Sequence, residues 1–139
     1  MEDCIFCKIV AGQIPCFKIY EDEMTLAFLD INPVTRGHTL VIPKRHSADL
    51  YDVEIRDLAA VHQSSRRIIH AIKQSMDPVG VAIVQLNGRG VNQIIMHYHV
   101  HLIPRGADEP ELTVSHMGAK EGDMDALKNV AEKIAAAVM

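Results

Sequence analysis

The sequence predicts an α+β fold with a mainly antiparallel, five-stranded sheet, one long helix and a C-terminal helix. Five short segments have strand character, because apolar residues either alternate with polar ones or run almost without interruption between turn residues. Residues 52–76 instead repeat their apolar positions at steps of three and four, and a segment at the C-terminus does the same. Strands therefore outnumber helices, and 139 residues are most simply a single domain, 1–139.

The first strands form a local hairpin. Residues 17–21 and 24–29 are joined by Asp22-Glu23, a plausible turn, and Pro33 then prevents the second strand from continuing. A third strand, residues 38–43, follows Gly37, and a fourth, residues 81–86, is apolar enough to be buried. We expect these strands to pair largely with their neighbours in sequence.

The long helix is predicted over residues 52–76, with Asp52 as its N-terminal cap and Asp77-Pro78 as its end. Its isoleucine, leucine and valine residues occupy more than one flank, which predicts a second apolar face available to another copy of the chain. Residues 106–122, with Pro110 and His116, are expected to be irregular. Asp123 then caps a terminal helix with an apolar stripe.

Composition excludes several classes of protein. A net charge of −4 and a pI near 6.0 give no overall basic field for binding nucleic acid. No apolar run approaches the roughly 20 residues of a membrane span, and the acidic N-terminus lacks the features of a signal peptide, so a cytoplasmic protein is expected. Three cysteines, an odd number, argue against a disulfide framework.

Three histidines alternate with apolar residues along the fifth strand, residues 96–105. Period two places His97, His99 and His101 on one face and buries the residues between them on the other. Two kinds of chemistry fit such a row: a metal site, since neutral imidazole is a common ligand, and nucleophilic or acid–base attack on an electrophile. A polar strand face without chemistry explains three histidines in register less well than it explains one.

Cys4 and Cys7 have C-x-x-C spacing, which suits two ligands of one tetrahedral ion, a redox pair, or two small buried side chains. His38 and His46 lie at opposite ends of the third strand, so they cannot easily serve one small site together. Asp30 either caps the turn that ends the second strand or binds a ligand hydroxyl.

Residues 87–93 form a glycine-bearing loop that leads directly into the histidine strand. Its backbone N–H groups and the amides of Asn87 and Gln93 suit an anionic oxygen. The loop matches neither the dinucleotide-binding nor the P-loop spacing, so its position beside three histidines is what makes it a candidate.

The segment His97-Tyr98-His99-Val100-His101-Leu102-Ile103 resembles the H-φ-H-φ-H-φ-φ motif of the histidine-triad (HIT) family of nucleotide hydrolases and transferases. Further segments that resemble the family follow in family order: residues 4–9, 27–31, 37–46 and 103–105. The likeness covers about residues 3–106, whereas residues 107–139 form a C-terminal extension without a close counterpart.

The resemblance implies a HIT-like fold, a homodimer and a role for each matching residue. His99 corresponds to the nucleophile that attacks the α-phosphorus of a nucleotide derivative, either a nucleoside phosphoramidate or a dinucleoside polyphosphate. The residues implied in phosphate or nucleotide binding are His101, Asn87, Gln93, Asp30 and His38. Those implied as ligands of a structural Zn²⁺ are Cys4, Cys7, His46 and His97. A closed site of four protein ligands would leave His99 and His101 free of metal.

The phosphate loop departs from the family pattern. Many members have Gly-Gln-Ser/Thr where this chain has Asn92-Gln93-Ile94, so the hydroxyl is replaced by an apolar side chain and a glycine by a residue with a Cβ. This departure keeps open an alternative function, that of a nucleotide-binding or scaffold protein with little turnover.

Overall fold

The computed structural model describes residues 3–109 and 120–139. Five strands form one sheet in the order β1-β2-β3-β5-β4, and each of its four strand pairs is antiparallel. The helices are α1 (Ile5–Val10), α2 (Ile55–Met76) and α3 (Met124–Ala137). The strands are β1 (Lys18–Glu21), β2 (Thr25–Leu29), β3 (Thr39–Pro43), β4 (Gly80–Val84) and β5 (Val100–Arg105), and a 3₁₀ helix spans Arg89–Val91. The predicted α+β class is confirmed.

The hairpin between β1 and β2 closes at Asp22, as predicted. The Asp22 Oδ1 atom accepts hydrogen bonds from the backbone N–H of Met24 at 2.9 Å and of Thr25 at 2.7 Å, and from the Thr25 hydroxyl at 3.0 Å. These three bonds to one carboxylate oxygen fix the turn and the register of β2 behind it.

The sheet is covered on both faces. On one face, Val61, Ile68 and Ile72 of α2 pack with Ala27 of β2, Val41 of β3, Val100 and Leu102 of β5, and Tyr98 just before β5. On the other face Phe6 of α1 packs against the intervening residues: Leu26, Phe28, Leu40 and Ile42. The helix α1 is absent from the sequence prediction. It encloses the face to which the histidines point.

Two predictions about α2 are wrong. The helix begins at Ile55, because Asp52 is engaged earlier, where its Oδ2 atom accepts a hydrogen bond from the Ala48 N–H at 3.0 Å. A second apolar flank is also absent: Leu58 and Ile69 pack against the same core as the buried isoleucines, and the outward positions are mostly polar. Its end at Asp77, in the left-handed region with φ 46°, agrees with the prediction.

The C-terminal helix α3 begins after Asp123, whose side chain caps it as predicted by accepting the Asp125 N–H at 3.1 Å. Its apolar stripe is exposed at every position: Met124, Leu127, Val130, Ile134 and Val138. Most of the stretch predicted to be irregular, including Pro110 and His116, lies outside the described residues. Over the described part of the chain, no helix combines the length and apolar character that crossing a membrane requires.

Candidate active site and metal centre

The histidine segment enters the sheet later than its alternation predicts. Strand β5 begins at Val100, so only His101 is a strand residue, and the prediction of a strand from residue 96 is wrong. The backbone N–H of Tyr98 instead donates to the Ser47 carbonyl at 2.7 Å, in the loop that follows β3. The alternation of faces persists nonetheless, because Tyr98 and Val100 are buried towards α2 while the histidines face α1.

The imidazole rings form a continuous row that also includes Phe6. Neighbouring ring centroids are 5.1 Å apart for His46 and His97, 5.0 Å for His99 and His101, and 5.1 Å for His101 and His38. The Phe6 ring meets His97 and His99 in edge-to-face geometry, at 5.9 and 5.2 Å. The row therefore places His46 and His38, which lie on either side of β3, at its opposite ends, in agreement with the prediction that they do not share one small site.

Backbone carbonyls determine which nitrogen of His97 and His99 carries the proton. The Nε2 atom of His97 lies 2.8 Å from the Pro43 oxygen, and the Nδ1 atom of His99 lies 2.7 Å from the His97 oxygen. Since a carbonyl only accepts, each of these nitrogens donates an N–H. In the neutral rings, Nδ1 of His97 and Nε2 of His99 then keep their lone pairs, which are needed to bind a metal or attack an electrophile.

His101 is oriented through His38. The backbone N–H of Val34 donates to His38 Nδ1 at 3.0 Å, so the proton of neutral His38 lies on Nε2, which donates to His101 Nδ1 at 2.9 Å. The proton of neutral His101 is consequently on Nε2, where it can be donated to a ligand. Asp30 Oδ2 lies 3.6 Å from His38 Nε2 and adds a negative charge behind this pair.

Burial keeps all four of these imidazoles uncharged at neutral pH. It is the main cause that lowers the pKa of His97 and of His101 to about 4, and the neighbouring histidines act in the same direction. Burial also lowers the pKa of His99 and of His38, although Asp30 acts against it in both. A neutral ring is the form that can act as a nucleophile or a metal ligand.

A cavity of about 330 Å³ opens beside the row and is called the histidine pocket below. Its polar end is lined by His99, His101, Asp30 and Asn92, and its remaining walls are largely apolar. The turn interpretation of Asp30 is confirmed, because its Oδ1 atom accepts the Asn32 N–H at 2.8 Å. Asp30 also lines this pocket, and its role in binding a ligand hydroxyl stays a prediction.

Asn87 and Gln93 do not line this pocket. Asn87 exchanges two side-chain hydrogen bonds with Gln85 and accepts the Leu50 N–H at 2.8 Å. The Gln93 side chain, 2 % exposed, is bonded at both ends to the backbone of the loop and its surroundings. Their roles in phosphate binding stay predictions.

The four predicted metal ligands, Cys4, Cys7, His46 and His97, converge at the other end of the row, with their ligand atoms within 4.8 Å of one another. Nδ1 of His97 lies 3.4 Å from the Cys4 sulfur and 3.5 Å from the Cys7 sulfur, and Nδ1 of His46 lies 3.3 Å from the Cys7 sulfur. A tetrahedral zinc with bonds of about 2.3 Å to sulfur and about 2.0 Å to nitrogen separates such atoms by about 3.5 Å. The three sulfur–nitrogen distances therefore match those that a tetrahedral Cys₂His₂ metal site requires.

Helix α1 positions both thiols. Cys4 caps the helix, and its sulfur accepts the Cys7 N–H at 3.3 Å, which brings the two sulfurs to the same end. Burial and the neighbouring Cys4 raise the pKa of Cys7 to about 11, so a thiolate there needs a cation beside it. Asp30, His38 and His101 also cluster, but an ion among them would have to replace the His38–His101 hydrogen bond.

Comparison with known proteins supports the family resemblance of the sequence. The sequence model of the HIT domain matches residues 11–108, more than half of the 139 residues. The chain belongs to the HIT-domain family. This HIT protein is 42 % identical to the Hit protein of Bacillus subtilis over 135 residues, which cover 96 % of the chain and 93 % of that relative.

Further relatives cover most of the chain. It is 41 % identical to the adenosine 5′-monophosphoramidase hnt1 of Schizosaccharomyces pombe over 111 residues, 80 % of each protein. The crystal structure of a HIT family protein from Bacillus anthracis superposes with a TM-score of 0.85 at 42 % identity, covering 99 % of both chains. A zinc-bound histidine-triad family protein from Mycobacterium smegmatis superposes at 0.74, with 34 % identity and the same coverage.

Proposed function

We propose that this HIT protein is a nucleotide hydrolase or transferase that acts on the α-phosphate of a nucleotide derivative through a nucleotidyl-His99 intermediate. The observation that carries the proposal is the hydrogen bond from His99 Nδ1–H to the His97 carbonyl, which leaves Nε2 as the nucleophilic atom beside a ligand-sized cavity. Burial keeps that nitrogen unprotonated at neutral pH.

The reaction has two displacements at phosphorus. In the first, the lone pair on His99 Nε2 forms a nitrogen–phosphorus bond while the bond to the leaving group breaks, and the leaving group takes up a proton. In the second, water attacks the phosphorus, loses a proton and releases His99. His101 Nε2–H is placed beside His99 to donate to a phosphate oxygen as negative charge builds on it.

The histidine pocket accounts for the rest of a nucleotide. We assign the Asp30 carboxylate to the ribose hydroxyls and the apolar walls, including Phe28 and Ile31, to the base. Asn87 and Gln93 are proposed to act on the phosphates through the loop that they hold. The 41 % identity with an adenosine 5′-monophosphoramidase favours a nucleoside phosphoramidate, with an amine as leaving group, over a dinucleoside polyphosphate.

Zinc is proposed as a structural ion held by Cys4, Cys7, His46 and His97. When bound, it would supply a tetrahedral centre whose four positions are all filled by protein, and so no Lewis-acid site for substrate. The cysteines hold the start of α1, and the histidines hold the loop after β3 and the segment before β5. The residues thus secure Phe6 against the row of histidines.

The test of the function is turnover of adenosine 5′-phosphoramidate by wild-type protein and by His99→Ala. We expect the variant to lose at least about 10³-fold in kcat while it keeps its thermal stability and its zinc. Wild-type protein quenched in alkaline denaturant, in which a phosphorus–nitrogen bond to histidine survives, should carry a nucleotidyl group on His99 by mass spectrometry. A His99→Ala variant with wild-type kcat would contradict the mechanism.

A scaffold or nucleotide-binding role is the second candidate, favoured by Ile94 and Asn92 in the phosphate loop. Asn92 has φ 70°, a left-handed conformation that glycine adopts at less cost, and it lines the histidine pocket. Calorimetric binding of AMP without measurable turnover of any nucleotide derivative would select this candidate.

We further propose that the chain is a single HIT domain that assembles as a cytoplasmic homodimer. The support for a dimer is the edge strand β4, which pairs on one side only among the described strands and carries Ile83, 49 % exposed, together with the exposed apolar stripe of α3. Light scattering should give twice the 15.4 kDa mass of one chain. The change Val130→Asp in α3 should shift the equilibrium towards 15.4 kDa, whereas Lys133→Asp, on the same helix, should not.

A further inference from the structure

A second cavity of about 310 Å³ lies next to the histidine pocket and has no role in the mechanism above. Three isoleucines, Ile5, Ile94 and Ile95, line both cavities and form a ridge between them. The rest of the lining is Asp3, Arg89, Met96 and two of the four proposed zinc ligands, Cys4 and His46, so the cavity adjoins that cluster. A ligand whose phosphorus faces His99 can therefore extend over the ridge without leaving the protein surface.

The ridge is unusually apolar for a surface feature. Ile94 is 75 % exposed and Ile5 is 40 % exposed, although both lie between two cavities rather than at a chain end. Exposed apolar side chains that adjoin a site favour an apolar ligand, because the ligand removes them from water. Many family members have a hydroxyl residue where this chain has Ile94, so the apolar side chain at this point of the ridge departs from that pattern.

The second cavity also has a free cation at its edge. Arg89 is exposed in the 3₁₀ helix Arg89–Val91, and no ion pair holds its side chain within residues 3–109 and 120–139. Asp3 lines the same cavity, but within the described part of the chain it forms no ion pair with Arg89. A free guanidinium binds a carboxylate through two parallel hydrogen bonds, so Arg89 favours a ligand that is negatively charged at this end.

We propose that the second cavity receives the leaving group and selects an apolar amine that carries a carboxylate. This inference rests on the proposed function of His99. In the reaction, the bond between phosphorus and the amine nitrogen breaks, the nitrogen takes up a proton, and the carboxylate stays unchanged on Arg89. The apolar part of the amine covers the ridge at Ile94.

Three adenosine 5′-phosphoramidates test the proposal. One has phenylalanine as its amine, the second has phenylalaninamide, which lacks the negative charge, and the third has ammonia, which reaches neither the ridge nor Arg89. For Arg89→Gln we expect kcat/KM for the phenylalanine compound to fall about tenfold, the effect of one charged hydrogen-bonding group. The other two compounds should be hydrolysed at the wild-type rate.

Two further variants separate charge from apolar contact. Asp3→Asn should raise kcat/KM for the phenylalanine compound about threefold by removing a like charge, and leave the other two unchanged. Ile94→Ser should lower kcat/KM for both phenylalanine-derived compounds about tenfold more than it lowers kcat/KM for the ammonia compound. Arg66→Gln, an exposed arginine on α2, is the matched control and should change none of them.

The outcomes distinguish this inference from the function on which it rests. Failure of wild-type protein to hydrolyse any of the three compounds refutes the proposed function itself. Hydrolysis of the ammonia compound with no preference between the two phenylalanine derivatives refutes only the leaving-group site. Equal losses for all three compounds in Arg89→Gln, measured beside an unchanged melting temperature, also refute it, because Arg89 would then act on the loop rather than on the leaving group.

Discussion

Replacing Gln93 by alanine should destabilise the protein more than it weakens substrate binding. The resemblance to HIT proteins implies that this side chain binds phosphate, but the structure shows it fully occupied within the protein. Its Oε1 atom accepts the Gly88 N–H at 2.8 Å, and its Nε2 atom donates to the carbonyls of Ala48 at 2.7 Å and Ile95 at 3.1 Å. Gln93 therefore ties the phosphate loop to the segment after β3.

The size of the effect follows from these three bonds. A buried hydrogen bond contributes about 1 kcal/mol net, so Gln93→Ala should lower the free energy of unfolding by about 3 kcal/mol. The side chain is 2 % exposed, so water cannot replace the lost partners without entering the structure. For a chain of this length such a loss lowers the melting temperature by roughly 10 °C.

Urea unfolding and steady-state kinetics on the same preparations measure the two effects. Gln74→Ala is the control, because Gln74 is exposed on α2 and should cost less than about 0.5 kcal/mol. A Gln93→Ala variant with wild-type unfolding but a KM raised at least tenfold would show that the side chain leaves its protein partners to bind phosphate. That result would refute the structural role argued here.

Three other perturbations test the site. Lowering the pH from 7 to 4.5 should destabilise the protein, because the pKa of His101 is about 4 when folded and 6.5 is its ordinary value, so the unfolded chain binds more protons in this range. His101 should account for a loss of up to about 3 kcal/mol in the free energy of unfolding over this range. In His101→Gln the free energy of unfolding in urea should therefore change less with pH than in the wild type. The same change with pH in both proteins would exclude His101 as a source of the effect. His38→Phe should lower kcat about tenfold or more, while His38→Gln, whose amide can still donate to His101, keeps more activity; equal losses would contradict the orienting role. Cys7→Ser should remove the single equivalent of zinc expected by elemental analysis and lower the melting temperature; a full zinc content would show that the cluster is not the site.

The sheet and α2 could be predicted because their signals are strong and local. Alternating or continuous apolar runs mark the strands, and the end of α2 coincides with Asp77 before a proline. The start of α2 could not be predicted from Asp52, because an aspartate before a helix can accept hydrogen bonds from more than one nearby N–H group, and here the partner is Ala48. Local sequence therefore indicates that a helix begins nearby but not at which residue, and the N-cap residue Glu54 makes no side-chain capping hydrogen bond.

Helix α1 shows a different limit. It has six residues, too few for an apolar stripe to be recognised, and such a short helix depends on tertiary contacts for its stability. Its Phe6 lies against both His97 and His99, yet nothing in the sequence around Cys4 and Cys7 distinguishes that phenylalanine from an ordinary core residue. The C-x-x-C spacing predicted two neighbouring thiols, which lie together at the start of α1, but it did not predict the helix that carries them.

The spacing of the histidines has a consequence beyond placing three rings on one face. The carbonyl of His97 accepts the proton of the His99 ring two residues later, and the His97 ring itself is directed at the two cysteines. His97 therefore joins the Cys4–Cys7–His46 cluster through its side chain and sets the proton position of the His99 imidazole through its backbone. A variant that displaces the His97 backbone should consequently disturb both the cluster and the hydrogen bond that fixes the proton on His99 Nδ1. The period of two makes this coupling possible, because it puts the carbonyl of one histidine within reach of the ring of the next.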